Sequence, residues 1–249
     1  MRILSVDSSL GSQVAVIDLD SSLGQPRVVA SYAQPSPRAH AESLGPMLAQ
    51  ALQDGDHQVD AVVAATGPAP FTGLRAGLVT ARVLARSRGC ALYGVPSLDA
   101  VARRAFDDLG TPELSASHED AAASCEATVL VLTDARRKEV YAAAYRARGT
   151  ADVQRMSDYQ VLSQDDARAL VANLLAGQAG AGLWVAGSGA HLYPHIWEGQ
   201  GARGLLADAS GDAITQVRLA LARSERGEEL DTEPLYLRHA DIHGIPAGQ

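Results

Sequence analysis

The first half of the chain alternates short apolar segments with longer amphipathic ones. Three extended segments come first, and the turn Leu10-Gly11-Ser12 joins the first two, which predicts an antiparallel meander. Helices and buried strands then alternate, so the predicted order is βββαβαβα. The predicted strands are Ile3–Ser8, Gln13–Leu19, Arg27–Tyr32, Val59–Ala65 and Ala91–Val95, and the predicted helices are residues 38–53, Thr72–Arg88 and Ser97–Leu109.

The second half roughly repeats this order after a stretch without clean periodicity. Residues 113–126 consist mainly of Ser, Ala, His and acidic residues, which predicts a flexible insertion or linker. We therefore predict two domains, residues 1–110 and residues 111–249. The predicted elements of the second domain are the strands Ala127–Asp134, Glu139–Arg146 and Gly182–Ala186, and helices after Ser163, near Ala190 and at residues 212–224, the last of which is expected to fold back onto the first domain.

Composition narrows the classes of function. The chain has 249 residues, 47% of them hydrophobic, which is enough for a sizeable core in α/β layers. Its formal charge is 21 − 29 = −8 and only 4% of its residues are aromatic, so unaided binding to a nucleic acid is not expected. Two cysteines without Cys-x-x-Cys spacing indicate a reducing compartment, and no segment predicts a signal peptide or a membrane span. We expect a cytoplasmic protein without membrane contact.

One glycine- and proline-rich run stands between a predicted strand and a predicted helix. It reads Gly67-Pro68-Ala69-Pro70-Phe71-Thr72-Gly73-Leu74-Arg75-Ala76-Gly77. Such turns present backbone to ligands in nucleotide-binding folds, but they are also common as plain connections. Pro70 lacks a backbone N–H and Ala69 adopts a positive φ only at a cost, which disfavours a phosphate cradle, while Thr72 is expected to cap the helix.

This run closely resembles the Gly-Pro-Gly-Ser-Phe-Thr-Gly-Leu-Arg signature of the TsaB (YeaZ-like) family, with Ala69-Pro70 in place of Gly-Ser. Three further segments match family patterns. The first has Arg38 and His40 before Ala41-Glu42-Ser43, where the family has Ser-Glu. The second is Asp134-Ala135-Arg136, which is followed by Glu139-Val140-Tyr141. The third is Pro234-Leu235-Tyr236-Leu237-Arg238, which resembles the family's Pro-x-Tyr-Leu-Arg.

The resemblance implies an α/β fold of two ribonuclease-H-like lobes, as in the actin-like ATPase (sugar kinase/heat-shock chaperone) superfamily. It also implies a non-catalytic scaffold that pairs with the catalytic subunit TsaD and, with the small ATPase TsaE, supports transfer of a threonylcarbamoyl group to the adenosine next to the anticodon of tRNA. Contact with tRNA is then expected only through the complex. No cofactor and no catalytic residue of its own are implied.

In the family, the first two helices form a bundle with TsaD. The second helix carries small residues at a spacing of four, which lets a partner helix approach closely, and the first has one broad apolar face. The same surface makes a homodimer of the isolated chain an expectation. The residues predicted for this interface are His40, Leu44, Met47, Leu48, Leu74, Gly77, Leu78, Ala81 and Ala85.

The alternative is an actin-like Mg-ATP-binding ATPase or kinase. Asp7 ends the first strand, Ser8 follows it, and Asp134 ends the first strand of the second domain, as acidic residues do near the nucleotide in that superfamily. Gly187 and Gly189 follow a further strand and resemble the adenosine-side loop. These five residues outline a vestigial nucleotide cleft, although each is equally well explained as a turn or capping residue.

Two further patterns have competing explanations. Arg75, Arg82 and Arg86 recur on one helix face, either as a solvated surface or as a contact to tRNA. His191 with His195 and His239 with His243 have the spacing of helical metal ligands, but Pro194, Gly244 and Pro246 interrupt both helices. We predict no metal site.

Overall fold

The computed structural model of the chain describes residues 1–19, 26–36, 40–110, 127–177, 182–206 and 212–237, apart from the side chains of residues 40 and 41. The linker predicted at residues 113–126 and the second His pair lie outside these ranges. Within them, no helix combines the length and the apolar character needed to cross a bilayer.

The first five strands are β1 (Arg2–Asp7), β2 (Ser12–Asp18), β3 (Arg27–Gln34), β4 (Ala61–Ala65) and β5 (Ala91–Val95). They form one mixed sheet in the order β3-β2-β1-β4-β5. The strand β2 runs antiparallel to both β1 and β3, whereas β4 runs parallel to both β1 and β5. Val6 at the centre of the sheet pairs with Val14 on one side and Ala64 on the other.

Two helices, α1 (His40–Asp54) and α2 (Phe71–Arg88), cover one face of this sheet. Side chains that alternate along the strands, such as Leu4 and Val62, form a core with the inward faces of both helices. The helix α2 begins one residue before the predicted Thr72 cap. Pro70 occupies the cap position, and no side chain caps the helix there.

The strands of the second sheet are β6 (Thr128–Asp134), β7 (Glu139–Arg148), β8 (Asp152–Arg155), β9 (Gln160–Ser163), β10 (Leu183–Ala186) and β11 (Gly204–Leu206). Their order is β11-β10-β6-β7-β8, and β9 also pairs with β7. Helices α4 (Gln164–Ala176) and α5 (Ser188–Leu192) pack on the outer face of this sheet.

The two sheets repeat one topology. In each, an antiparallel hairpin leads from the central strand, and two strands parallel to the central strand lie on its other side. Each sheet thus has the 3-2-1-4-5 order of a ribonuclease-H-like lobe. The α/β fold of two such lobes, predicted from the family resemblance, is confirmed.

The remaining helices, α3 (Ser97–Leu109) and α6 (Ala213–Glu225), share one core with the inner faces of both sheets. This core includes Val63 of the first sheet, Val131 of the second and Val217 of α6. The helix α6 contacts β1, β2, β4 and β5, and α3 contacts β6, β7 and β8. Each helix therefore packs on the sheet of the other half of the chain, and a domain boundary near residue 110 stays a prediction.

Candidate functional site

Asp7, predicted as a cleft residue, ends β1 with only 2% of its surface exposed. Its Oδ1 accepts a hydrogen bond from the Ser9 backbone N–H at 2.7 Å, and its Oδ2 accepts one from Gln216 Nε2 at 2.7 Å. Gln216 lies in α6, and its Oε1 accepts a hydrogen bond from Ser5 Oγ at 2.9 Å. The carboxylate of Asp7 is therefore enclosed by α6.

Burial raises the pKa of Asp7, and the hydrogen bonds from Ser9 and Gln216 offset part of that effect. A carboxyl whose pKa is higher in the folded than in the unfolded state binds its proton more tightly when folded. Such a carboxyl stabilises the folded state at pH values below its unfolded pKa, and this contribution to the free energy of unfolding is lost as the pH rises through its folded pKa. At neutral pH the charge of Asp7 therefore opposes folding.

We expect Asp7→Asn to raise the free energy of unfolding at pH 7 by about 1 kcal/mol, the scale of one net hydrogen bond. The amide carries no charge, and Gln216 can reverse its own amide because the Ser5 hydroxyl can accept as well as donate. Urea unfolding at several pH values measures the gain, which should shrink as the pH falls towards the ordinary Asp value of 3.8. A variant that is less stable at pH 7 would contradict this.

Ser8 is likewise buried and fully engaged. Its Oγ donates to the Gly73 carbonyl at 2.7 Å and accepts from the Gly77 backbone N–H at 2.9 Å. Both partners belong to α2, so Ser8 fixes the first two turns of this helix to the end of β1. The hydroxyl has no proton left to donate to a phosphate in this arrangement.

The other three predicted cleft residues lie together at the end of β6. The Asp134 backbone N–H donates to Ser188 Oγ at 3.2 Å, and the Asp134 carboxylate pairs with Arg136 Nη1 at 3.1 Å. A Cβ on Gly187 would lie 2.6 Å from the Leu132 carbonyl oxygen, and one on Gly189 would lie 2.9 Å from Val140 Cγ1. Both glycines therefore let α5 pack closely on the second sheet.

A small cavity is lined by residues that neighbour these two groups in the chain. It has a volume of about 240 Å³, and Leu10, Gln34 and Ser188 are among the residues that line it. Leu10 follows the buried Ser8 and Ser9, and Ser188 binds Asp134, so the cavity lies where the two lobes approach each other. Its volume is below the range of about 300–1,000 Å³ that is usual for small-molecule sites.

The turn between β6 and β7 has an unusual backbone. Arg136, Arg137 and Lys138 have φ values of +64°, +54° and +62°, and the Glu139 N–H donates to the Arg136 carbonyl at 3.0 Å. Positive φ at both central residues is what a type I′ turn requires, and Asn-Gly usually meets that requirement. Left-handed conformation costs about 1–2 kcal/mol per residue other than glycine. The sequence predicts a turn between the strands Ala127–Asp134 and Glu139–Arg146, but not its left-handed backbone, because the turn contains neither Asn nor Gly.

Sequence reasoning also missed a buried ionic cluster between α3, β8 and α6. Asp99 Oδ1 accepts from the hydroxyls of Tyr145 and Tyr159 at 2.9 and 2.7 Å, and Asp99 Oδ2 pairs with Arg223 Nη2 at 2.8 Å. Arg223 Nε also donates to Asp152 at 2.9 Å. Burial and the Asp99 charge raise the pKa of both tyrosines, so their hydroxyls remain donors. The cluster ties the two halves of the chain together.

Most of the residues predicted for the partner interface are buried within the first lobe, and the interface itself stays a prediction. The side chains of α2 that suggested it face the sheet and are buried in the core of the first lobe, as is Leu44 of α1. Met47 and Leu48 are half-buried against the same core, and the side chain of His40 lies outside the described residues. The predicted interface residues that are buried in α2 are Leu74, Gly77, Leu78, Ala81 and Ala85.

The outward face of α2 carries a different apolar pair. Val79 and Val83, one helical turn apart, are 56% and 63% exposed. On the neighbouring face, Arg75 lies 4.6 Å over the ring of Phe71, and Arg82 donates to Glu233 at 2.6 Å, while Arg86 is exposed. The outward residues of α1 are mostly small or uncharged and include Gly45, Pro46 and Ala49.

Comparisons with known proteins place the chain in a family. The family model described as TsaD, tRNA N6-adenosine threonylcarbamoyltransferase, matches residues 29–164, more than half of the chain. The chain belongs to this TsaD family. It is 41% identical over 111 residues to an uncharacterized protein of Mycobacterium tuberculosis and 34% identical over 134 residues to the tRNA N6-adenosine threonylcarbamoyltransferase of Brucella anthropi. The Mycobacterium match covers 43% of this chain and 43% of that relative, and the Brucella match covers 46% of this chain and 37% of that relative. The chain therefore spans less than half of the length of either relative.

Among solved structures, two Pseudomonas aeruginosa proteins match along nearly the whole chain. One is an uncharacterized protein with similarity to peptidase YEAZ, at 26% identity and a TM-score of 0.71, with 95% of this chain and 99% of that chain covered. The other is YeaZ, at 24% identity and a TM-score of 0.72, with the same coverage. The resemblance to the TsaB (YeaZ-like) branch of the TsaD family is confirmed.

The C-terminal signature of this TsaD-family chain packs against its first signature. The Leu235 N–H donates to the Thr66 carbonyl at 2.8 Å, and the ring of Tyr236 lies 4.9 Å from that of Phe71. Arg82 holds the same segment through Glu233 and the Thr232 carbonyl. The two signatures thus form one surface at the start of α2. Within the described ranges, no three His, Cys, Asp or Glu side chains come together as metal ligands.

Proposed function

We propose that this chain is a non-catalytic scaffold subunit that pairs with the catalytic TsaD subunit, in the transfer of a threonylcarbamoyl group to the tRNA adenosine next to the anticodon. One observation carries the proposal: the residues that an actin-like ATPase would place at its nucleotide are closed off. Asp7 is enclosed by Gln216, and Ser8 is bound to α2 through both its hydroxyl proton and its oxygen. Family membership and the likeness to YeaZ supply the pathway.

The outer face of α1 and α2 is the surface that suits a helical partner. Both helices cover the same face of the first sheet, so their outward sides form one surface. Val79 and Val83 supply apolar area, while Gly45 and Ala49 on α1 allow a close approach of another helix. In the proposed complex this face binds TsaD, TsaE joins the pair, and tRNA is reached through the assembly. The same face would serve self-association of the isolated chain.

We expect Val79→Asp with Val83→Asp to weaken binding to the cognate TsaD by at least about 10–100-fold, because two charges would be desolvated at an apolar contact. Calorimetric titration of TsaD measures the affinity, and circular dichroism checks the fold. Leu192→Asp is the matched control, since Leu192 is a helical side chain of the second lobe with 53% exposure. Equal affinity for wild type and the double variant would place the interface elsewhere.

The enzymatic alternative, an actin-like Mg-ATP-binding ATPase or kinase, is tested on the same protein. Mg-ATP is titrated into the wild-type chain and into the Asp7→Asn variant. The scaffold role predicts the same heat for both. Binding that disappears on Asp7→Asn would favour the alternative.

A further inference from the structure

Another cavity lies between α3, the turn that follows β7, and α6. It has a volume of about 430 Å³, within the range of about 300–1,000 Å³ that is usual for small-molecule sites. Gly149 and Thr150 in the turn are exposed, whereas Arg103 and Phe106 of α3 are only 4% and 5% exposed. The cavity therefore runs from the surface to a buried floor.

The charged groups that line this cavity carry a net positive charge. They are the guanidinium groups of Arg103 and Arg218 and the carboxylate of Asp107. The Asp107 carboxylate pairs with both cations, at 3.0 Å from Arg103 Nη2 and 2.6 Å from Arg218 Nη1. One carboxylate thus serves two guanidinium groups, and the lining keeps one unbalanced positive charge on a chain whose net charge is −8.

Arg103 is the cation at the floor, and its surroundings compensate its charge incompletely. Its Nη1 donates to the carbonyls of Gly149 and Asp152, each at 3.1 Å, but its Nε–H is buried and meets no acceptor among the described residues. Burial lowers the pKa of Arg103, and the charges of Asp107 and Asp152 offset only part of that effect. A buried polar group without a partner calls for an explanation such as a bound ion or water. An anion in the cavity would supply the missing negative charge.

Arg218 supplies the donors that a ligand can reach, because its side chain is 29% exposed. Among the described residues, its hydrogen bonds go to Asp107 and to the Thr150 carbonyl and use three of its five N–H groups. Phe106 and Ala147 add apolar surface to the same cavity. The cavity therefore combines a partly exposed guanidinium with an apolar wall.

We infer that this cavity binds a small organic carboxylate, which accepts hydrogen bonds from Arg218 and places its apolar part against Phe106 and Ala147. A carboxylate carries the single negative charge that balances the lining, and its two oxygens match the planar fork of N–H groups on a guanidinium. A phosphate monoester carries about −1.5 to −2 charges at pH 7, which would leave an excess of negative charge. The site lies on the opposite face of the first sheet from α1 and α2, so it goes beyond the proposed function and does not depend on it.

The test titrates benzoate and its neutral isostere benzamide into the full chain and follows the backbone amides of Gly149 and Thr150 by NMR. We expect benzoate to bind with a Kd of about 1 mM, an ordinary value for a ligand of this size. Benzamide should bind about 10–100-fold more weakly, because the hydrogen bonds to a charged group are lost. Benzoate should also raise the unfolding temperature above that in an equal concentration of sodium chloride, since it binds the folded state.

Two variants and a matched control assign the binding to the cavity. Arg218→Gln should weaken benzoate binding about 10–100-fold and remove the preference over benzamide. Ala147→Leu fills the apolar wall, leaves all three charged groups in place and should weaken the binding of both compounds at least about 10-fold. Arg146→Gln is the control, because it removes an exposed cation whose side chain points to the opposite face of β7 from Ala147, and it should leave the affinity unchanged. Circular dichroism checks the fold of each variant.

Three outcomes would overturn this inference. Amide shifts that are absent, or that occur only away from the turn after β7, would mean that no carboxylate binds here. Equal affinity for benzoate and benzamide would make this an apolar cavity without an anion site. Tighter binding of inorganic phosphate than of benzoate would make it a site for a phosphate group. None of these measurements involves TsaD, so a failure here leaves the proposed function intact, and a failure to bind TsaD leaves this inference intact.

Discussion

Replacing Asp152 with alanine should lower the free energy of unfolding by about 3–5 kcal/mol, the usual cost of removing one partner from a buried ion pair. Asp152 is only 1% exposed and accepts hydrogen bonds from Arg223 Nε at 2.9 Å, from Arg226 and from the Val153 N–H at 2.8 Å. Its loss removes one of the two carboxylates that pair with the buried Arg223, and it leaves Arg226 paired only with Glu228. Because Arg223 of α6 also pairs with Asp99 of α3, the contact between the two halves of the chain weakens with it.

Urea unfolding at pH 7 measures this effect as a shift of the midpoint. The matched control is Asp158→Ala, which removes an exposed carboxylate from the same lobe and should stay within about 0.5 kcal/mol of wild type. Equal stability of the two variants would show that the cluster does not hold the halves together.

Gly77→Ala should destabilise the protein by about 2–5 kcal/mol, although alanine is the better helix former. A Cβ at this position would lie 2.2 Å from Ser8 Oγ and 3.0 Å from Ser8 Cβ. Ser8 would have to move and would give up its hydrogen bonds to the Gly73 carbonyl and the Gly77 N–H. Overpacking and two lost buried hydrogen bonds therefore act together.

Gly45→Ala provides a matched control. Gly45 lies in α1 and is exposed, and a new Cβ would meet nothing within 4 Å beyond its chain neighbours and the backbone of its own helix. Alanine there should stay within about 1 kcal/mol of wild type, because the gain in helix propensity is opposed by crowding of the Cβ against the ring of Pro46. Thermal unfolding of both variants measures the contrast, and a stable Gly77→Ala protein would mean that α2 is not fixed to β1 through Ser8.

The elements themselves could be predicted from the sequence because their signals are local. The strand Ala91–Val95 and the helix Ser97–Leu109 match the prediction to the residue, since Pro96 stands between them and Gly110 follows the helix. Apolar alternation likewise predicted the strands of the first hairpin to within one residue. Charged and turn-forming residues separate these apolar segments and mark where each element ends, so the order of the elements could be predicted.

The direction in which α2 faces could not be predicted in this way. Both of its sides are apolar, with Leu74 and Leu78 on one and Val79 and Val83 on the other. Small residues such as Gly77 and Ala81 suit a close approach to a partner helix and to the protein's own sheet equally well. Only the position of the first sheet decides between the two, and the sheet buries the stripe of small residues that was predicted to face a partner.

Contacts between distant parts of the chain were also beyond the sequence. Gln216 is 209 residues away from Asp7, and neither residue carries a local signal for the other. The cluster around Asp99 joins α3, β7 and α6 in the same way. An aspartate at the end of a first strand suggests a nucleotide site by analogy, and it is the burial by α6 that argues for a structural role here.

The most direct test of the scaffold role is the rate at which purified TsaD and TsaE form threonylcarbamoyladenosine on a tRNA transcript, with and without this chain, measured by nucleoside mass spectrometry. Every assay is supplied with threonylcarbamoyl adenylate as the donor of the transferred group. We expect product only when the chain is present, and the same rate with the Asp7→Asn variant, since the chain contributes a surface and no reacting group. An equal rate without the chain, or a rate lost on Asp7→Asn in a complex that still assembles, would contradict the scaffold role.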